Sequence, residues 1–276
     1  MLRSSNPVLS RKDAFTPGTP QGQSPFAQGQ TGQVPPGADP RDPAANLPEG
    51  RMTFDDVVTK TVITMVVLVA AAAASWWAVA TGILPAGMIM PAMVLSALVG
   101  FGTVLLVSLR RIVNPALVLV YAAVEGVFIG MVSLMFEMRY PGIVLQAVIG
   151  TFAAAGITLF AYKFFNIRVT AKFRKVVVLA TIGFAAAMLI NFVFALLGVN
   201  LGVRDMSGSI SLLAVLFSAI GVTLAVLNLV LDFDYIERGV QMGAPAREAW
   251  RGAFGLTVTM VWLYIEILRI LSYFRR

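Results

Sequence analysis

Two carboxylates close the apolar stretch "VLNLVLDFDYIERG", which spans residues 226–239. Asp232 and Asp234 follow a run of leucine and valine that is typical of a membrane-spanning helix. An ionisable side chain at membrane depth is costly unless it faces a cavity or a partner, so each one marks a candidate functional site. Carboxylates take up and release protons, and their hard oxygens favour calcium over softer metals. Both residues are therefore candidates for a gate or a pH sensor.

Asp232 ends a row of small and polar side chains on its predicted helix. Steps of three and four residues connect the members of this row: Ser211, Ala214, Ser218, Gly221, Ala225, Asn228 and Asp232. We expect Asn228 and Asp232 to face protein or water, because larger apolar residues cover the rest of the helix. Asp234 lies off the row, and we expect it to be the solvated member of the pair. The alternative is that both acids only cap the helix end beside Arg238, although the helix macrodipole disfavours an acid there.

Glu125 is the most deeply placed acid in the chain. It lies ten residues after Pro115, which corresponds to about 15 Å into the bilayer. At that depth loss of solvent favours the neutral carboxyl, so we expect Glu125 to face protein and to be largely uncharged at pH 7. Two interpretations stay open: a protonated glutamate hydrogen-bonded between helices, or a role in an ion path. Glu125 and Asn228 are the candidates for an ion path or a polar core. Glu266, beyond the level of Asp232, is expected to be structural.

Composition defines the class of protein to which these acids belong. The chain has 58% hydrophobic and 13% charged residues and a mean hydropathy of +0.82, which indicates an integral membrane protein. It contains no cysteine and no histidine, which excludes disulfides, thiolate nucleophiles, imidazole bases and the usual zinc and haem ligation. We therefore expect no cofactor, and the sequence leaves any metal site unknown. The net charge of +7 suits cytoplasmic loops better than nucleic acid.

The chain divides into a polar tail and a series of apolar runs. Residues 1–57, rich in proline, glycine and glutamine, are predicted to be a disordered cytoplasmic tail. Residues 58–276 are predicted to form an all-α domain of seven transmembrane helices, since each run suits a hydrocarbon core that needs about 20 helical residues. The predicted helices span about 61–82, 87–108, 115–136, 142–163, 175–198, 209–233 and 250–273.

Lysine and arginine predict the orientation of these helices. They cluster after the second helix, after the fourth helix and around the turn between the sixth and seventh helices. The positive-inside rule places these loops and the N-terminus in the cytoplasm, as in a multi-pass protein of the cell membrane. Arg275 and Arg276 at the opposite end leave open a last helix that does not fully cross. Three arginines near the cytoplasmic ends are candidate cationic partners for Asp232: Arg110, Arg111 and Arg238.

Enzymatic chemistry fits the sequence poorly. Intramembrane serine proteolysis needs a histidine or lysine partner, but histidine is absent and every lysine lies at a helix edge or in a loop. A retinal protein needs a lysine within its last helix, and the last predicted helix has none. An aspartyl protease needs two facing aspartates, whereas Asp232 and Asp234 lie on the same helix end. We therefore expect no catalytic residues and no enzyme activity.

Four segments together resemble a known family. They are "NPALVLVYAAVEGVFIGMVSLMF", "PGIVLQAVIGTFAAAGITLFAYK", "LVLDFDYIERG" and "WLYIEILRIL". Their order and spacing resemble the bacterial branch of the Bax inhibitor-1, or transmembrane Bax inhibitor motif, family over about residues 60–273. The resemblance implies a seven-helix fold with the last helix central. It also implies a pH-sensitive calcium leak channel of the bacterial inner membrane, controlled by carboxylates on the sixth and seventh helices and an arginine on the second.

The resemblance transfers to this chain only in part. The family's sixth-helix aspartate falls on Asp232, but its second aspartate falls where Thr257 or Thr259 stands. A paired-aspartate sensor is therefore missing, and its role passes to Asp234, Glu125 or no residue. The second-helix arginine maps loosely to Arg110 or Arg111.

Two functions remain in competition. The first is a leak channel for calcium or another cation, gated by membrane carboxylates. The second is a non-conducting regulator in the lipid bilayer that binds a membrane protease or another membrane protein, as some bacterial relatives do, with the tail as a suitable binding segment.

Overall fold

Seven long helices dominate the described part of the chain. The computed structural model describes residues 50–110, 112–199 and 212–275. Within these ranges each long helix is apolar enough to cross a membrane, and no strand is formed. The helices are α1 (Phe54–Ala80), α2 (Ile89–Leu109), α3 (Pro115–Arg139), α4 (Ile143–Phe164), α5 (Ala171–Leu196), α6 (Leu212–Gln241) and α7 (Glu248–Phe274). The predicted all-α membrane fold is confirmed.

Helix α1 begins earlier than the apolar run predicts. The hydroxyl of Thr53 accepts a 3.1 Å hydrogen bond from the backbone N–H of Asp56, and the Asp56 carboxylate accepts one from the N–H of Thr53. This reciprocal capping box fixes the helix start at Phe54. The predicted boundary at residue 57 is wrong because it falls inside α1, whose first turn is too polar for a hydropathy pattern to detect. Residues 1–49 of the predicted tail lie outside the described residues.

Helix α7 is central to the bundle. It packs against α1, α3, α4 and α6. Leu263 and Leu268 on α7 have no exposed surface, and they contribute to two different apolar clusters of the core. The family resemblance implies this central position of α7.

The contact between α1 and α3 is unusually close. A Cβ atom at Gly126 would lie 2.3 Å from the carbonyl oxygen of Leu68, and one at Gly130 would lie 2.0 Å from Oγ of Ser75. Only glycine fits at these two positions of α3, which are four residues apart. Small residues at this spacing let two membrane helices bring their backbones together.

A short segment before α1 pairs with the turn between α6 and α7. We call residues 50–53 the N-terminal strap. The N–H of Met52 donates to the carbonyl of Ala244, and the N–H of Ala246 donates to the carbonyl of Gly50, both at 2.7 Å. The Met52 side chain is 2% exposed and packs in the apolar cluster beneath the turn. The strap thus attaches the start of α1 to the α6–α7 turn.

Candidate functional site

Helix α6 continues well past the two acids that end its apolar run. Its last residue is Gln241, nine residues after Asp232, or about 14 Å along the axis. The predicted helix end at residue 233 is wrong because the last turns of α6 are polar and lie outside the apolar window. The alternative interpretation that Asp232 caps a helix end is therefore also wrong. Asp232 lies well inside the helix.

The carboxylate of Asp232 lies at the contact between α6 and α7. Oγ1 of Thr259 donates a 2.6 Å hydrogen bond to Oδ2 of Asp232. A Cβ at Gly255, one turn earlier on α7, would lie 3.2 Å from Oδ1, so the other oxygen rests against bare backbone. Thr259 lies eleven residues after Glu248, the first residue of α7, or about 16 Å into this helix. The carboxylate is thus held at depth between two membrane helices.

None of the predicted cationic partners pairs with Asp232. In residues 50–110, 112–199 and 212–275, Asp232 takes part in no ion pair. Arg110 is exposed just after the end of α2, and its backbone carbonyl accepts a 3.4 Å hydrogen bond from Nη2 of Arg251. Arg238 pairs with Asp234 instead, and Arg111 lies outside the described residues. The expected pairing of Asp232 with Arg110 or Arg238 is therefore wrong.

Asp234 is buried and doubly paired. Its side chain accepts from Nη2 of Arg174 at 2.7 Å and from Nε of Arg238 at 3.0 Å. Arg238 also donates to the carbonyl of Val169, in the loop before α5, at 2.9 Å. The prediction of a solvated Asp234 is wrong because α6 is covered on a second side by the start of α5. Arg174 was missed as a site residue, since its sequence context shows only a basic loop.

Asn228 faces α5. Its Nδ2 donates to Oγ1 of Thr181 on α5 at 2.7 Å and to the carbonyl of Leu224 at 2.8 Å. The predicted row on α6 is protein-facing, as expected, although Ser211 lies outside the described residues. Its buried members are Ala214, Ser218, Gly221 and Ala225. Asn228 and Asp232 therefore share one row but bond to different helices.

Glu125 lies at the contact between α2 and α3, away from the α6–α7 pair. A Cβ at Gly100 on α2 would lie 2.8 Å from Oε2 of Glu125, so the carboxyl fills the space that this glycine leaves open. The side chain is partly buried, as a protein-facing acid should be. No described residue forms a hydrogen bond with it, so the expected hydrogen bond between helices is not found in this part of the chain. The structure does not join Glu125 to Asn228 in one polar core.

Glu266 is buried further along α7. It is 1% exposed, and its side chain packs against Gly221, where an added Cβ would lie 2.8 Å from Cδ. It lies seven residues past Thr259 on the same helix, or about 10 Å beyond the level of Asp232. This is the separation that the sequence predicts. Among the described residues, no group of three or more acids converges on a metal-binding geometry.

Comparison with known proteins identifies the family. A family model described as "Bax inhibitor 1 like" matches residues 6–276, so the chain belongs to this family. A search of curated proteins gives no match. The resemblance based on the four sequence segments is thereby confirmed at the level of the family.

Proposed function

We propose that this member of the Bax inhibitor-1-like family is a pH-sensitive cation leak, with calcium as the cation, gated at the α6–α7 contact by Asp232. The observation that carries the proposal is a carboxylate at membrane depth that bonds to the neutral hydroxyl of Thr259 and to no described cation. Such a group is costly to keep charged in a partly buried contact between membrane helices. It is therefore suited to couple its protonation to the opening of that contact.

The hydrogen bond from Thr259 to Asp232 determines whether the proposed leak rises or falls with pH. A protonated Asp232 is compatible with the closed contact, since Thr259 satisfies one oxygen and no charge needs compensation. An ionised Asp232 needs water or a cation, and a separation of α6 and α7 would give both of them access to the whole carboxylate. We therefore expect the leak to increase as the pH rises through the titration of Asp232, with calcium attracted by the hard carboxylate oxygens.

Reconstitution in liposomes tests the proposal. Purified protein is placed in vesicles that contain a calcium indicator, and calcium entry is measured between pH 5 and pH 8. Asp232→Asn mimics the neutral carboxyl and should give a low leak without pH dependence. Asp55→Asn makes the same chemical change at an exposed position in the first turn of α1 and should behave like the parent. A pH-dependent leak that survives Asp232→Asn would show that the gate lies elsewhere.

The second candidate is a non-conducting regulator that binds a membrane protein. The N-terminal strap favours it, because the hydrogen bonds of Met52 and Ala246 connect the chain before α1 directly to the α6–α7 turn. A partner bound to the preceding residues would act on that turn. A parent protein that passes no calcium at any pH would replace the leak proposal with this one. Both proposals are non-enzymatic and place the protein in a cell membrane with its N-terminus in the cytoplasm.

A further inference from the structure

An apolar cavity lies between α1, α3, α4 and α7, apart from the Asp232 contact. Its volume is about 470 Å³, within the range of about 300–1,000 Å³ that is typical of small-molecule sites. No aspartate, glutamate, lysine or arginine lines it. Residues with exposed side chains, such as Val69, Trp77 and Phe152, form part of the lining, so the cavity is open to the surrounding hydrocarbon.

Two of the residues that line the cavity, Ser133 and Tyr264, carry hydroxyl groups that bond to each other. Oγ of Ser133 on α3 and the hydroxyl oxygen of Tyr264 on α7 lie 2.7 Å apart, and the two residues are 4% and 8% exposed. Each hydroxyl carries one hydrogen, and their mutual bond uses only one of the two. Neither group has another partner among the described residues. One buried O–H therefore remains available to a ligand that carries an acceptor.

The depth of the pair restricts the ligand. Ser133 lies six residues before the end of α3 and Tyr264 ten residues before the end of α7, or about 9 and 15 Å from those ends. Both helices are longer than the hydrocarbon thickness of about 30 Å, so the pair lies inside the hydrocarbon. A charged headgroup would be costly there without a compensating side chain. Water is also a poor occupant, because it needs two to four polar partners in a roomy site.

We propose that this cavity binds an uncharged membrane lipid with a carbonyl group at one end of a long apolar chain, the chemistry of an isoprenoid quinone. The carbonyl accepts the free hydrogen of the Ser133–Tyr264 pair, while the apolar body lies along Ala73 and Trp76 of α1. Phospholipids do not meet this requirement, since their ester carbonyls stay beside a charged headgroup at the membrane surface.

Photolabelling of the protein in nanodiscs tests the binding site. The probe is a prenyl quinone that carries a diazirine, and labelled peptides are mapped by mass spectrometry. The labelled peptides should come from α1, α3, α4 or α7. An excess of unlabelled quinone should reduce the amount of label at least fivefold. Ala73→Phe fills the cavity and should reduce labelling at least fivefold. Ala74→Phe makes the same change at an exposed neighbour that does not line the cavity, and it should label like the parent.

Two hydroxyl variants test the hydrogen bond. Ser133→Ala and Tyr264→Phe each leave one hydroxyl, now released from its partner, so each should retain labelling within about twofold. The double variant has no hydroxyl and should bind about fivefold more weakly, the loss expected for one hydrogen bond of about 1 kcal/mol. Equal labelling by a diazirine alkane that lacks a carbonyl, or by a diazirine phospholipid, would overturn the proposal. If a variant does not fold, the test rests on the parent protein, in which unlabelled quinone should compete with the photolabel.

Discussion

Asp232 and Asp234 lie two residues apart on α6, yet their carboxylates contact different helices. Thr259 of α7 donates to Asp232, whereas Arg174 at the start of α5 pairs with Asp234. Two residues turn an α-helix by about 200°, which places the two side chains on nearly opposite faces. Substitutions at the two positions therefore test different properties, the proposed leak at Asp232 and the stability at Asp234.

Asp234→Asn should lower the stability of the protein and leave the pH response of the proposed leak in place. The change removes the charge that Arg174 and Arg238 share, and we expect the free energy of unfolding to fall by about 1–3 kcal/mol. The loss stays below that of a fully buried pair because the two arginine side chains are 47% and 46% exposed. Unfolding by denaturant in detergent measures it.

The matched comparison for Asp234 uses its two partners. Arg174→Gln and Arg238→Gln should each cost less than Asp234→Asn, because one arginine then remains to pair with the acid. A larger loss for either arginine variant would contradict a role for Asp234 as the shared centre of the group.

Thr259→Val should shift the pH at which the proposed leak begins to lower values. Valine keeps the shape of threonine but removes the hydrogen bond that joins α7 to Asp232 in the closed contact, so the closed state becomes less stable and opens at a lower pH. A bond of about 1.4 kcal/mol corresponds to a shift of about one pH unit. Calcium entry into liposomes across a pH series gives the midpoint.

Thr257→Val is the control for this shift. Thr257 is buried on the same helix, but its hydroxyl donates to the carbonyl of Ala253 within α7 and not to Asp232. The leak of this variant should begin at the pH of the parent. Equal shifts in the two variants would mean that the packing of α7, and not the bond to Asp232, sets the midpoint.

The sequence predicts the seven helices of this fold and the row of small and polar residues on α6 that ends at Asp232. Run lengths predict seven membrane helices, and steps of three and four residues place Asp232 on the protein-facing side of α6. The partner of Asp234 could not be predicted in this way, since Arg174 lies sixty residues away and no periodicity connects them. Hydropathy likewise ends α6 where the continuous apolar run ends, at Phe233, whereas the helix continues through more polar turns to Gln241.

Gly126→Ala and Gly130→Ala should each destabilise the protein. An added methyl group would lie within 2.3 Å of Leu68 or Ser75 on α1, so α1 and α3 must separate. Overpacking of this kind costs about 1–3 kcal/mol. Gly156→Ala, where an added Cβ meets no atom within 4 Å, should have no such effect. Thermal unfolding in detergent compares the three variants, and equal melting temperatures would contradict the close helix contact.

The predicted orientation is testable with single cysteines, because the native chain contains none. Ala171→Cys, at the start of α5, should not react with a membrane-impermeant maleimide added to intact cells, since the positive-inside rule places this position in the cytoplasm. Ile83→Cys, in the exposed connection between α1 and α2, should react. Labelling at position 171 without labelling at position 83 would reverse the topology.

The contacts that hold α5 against the rest of the bundle should be sensitive to salt. Among the residues of α5, only Val177 and Phe184 are buried, and polar links to Asn228 and Asp234 add to this small apolar contact. The Debye length falls from about 10 Å at 0.1 M to about 3 Å at 1 M ionic strength, so only high salt screens the partly exposed ion pairs of Asp234. Salt does not weaken the apolar contact at Gly126. High ionic strength should therefore speed amide hydrogen exchange at the start of α5 and leave α1 and α3 protected. The membrane domain thus contains one helix whose attachment depends on the electrolyte around it.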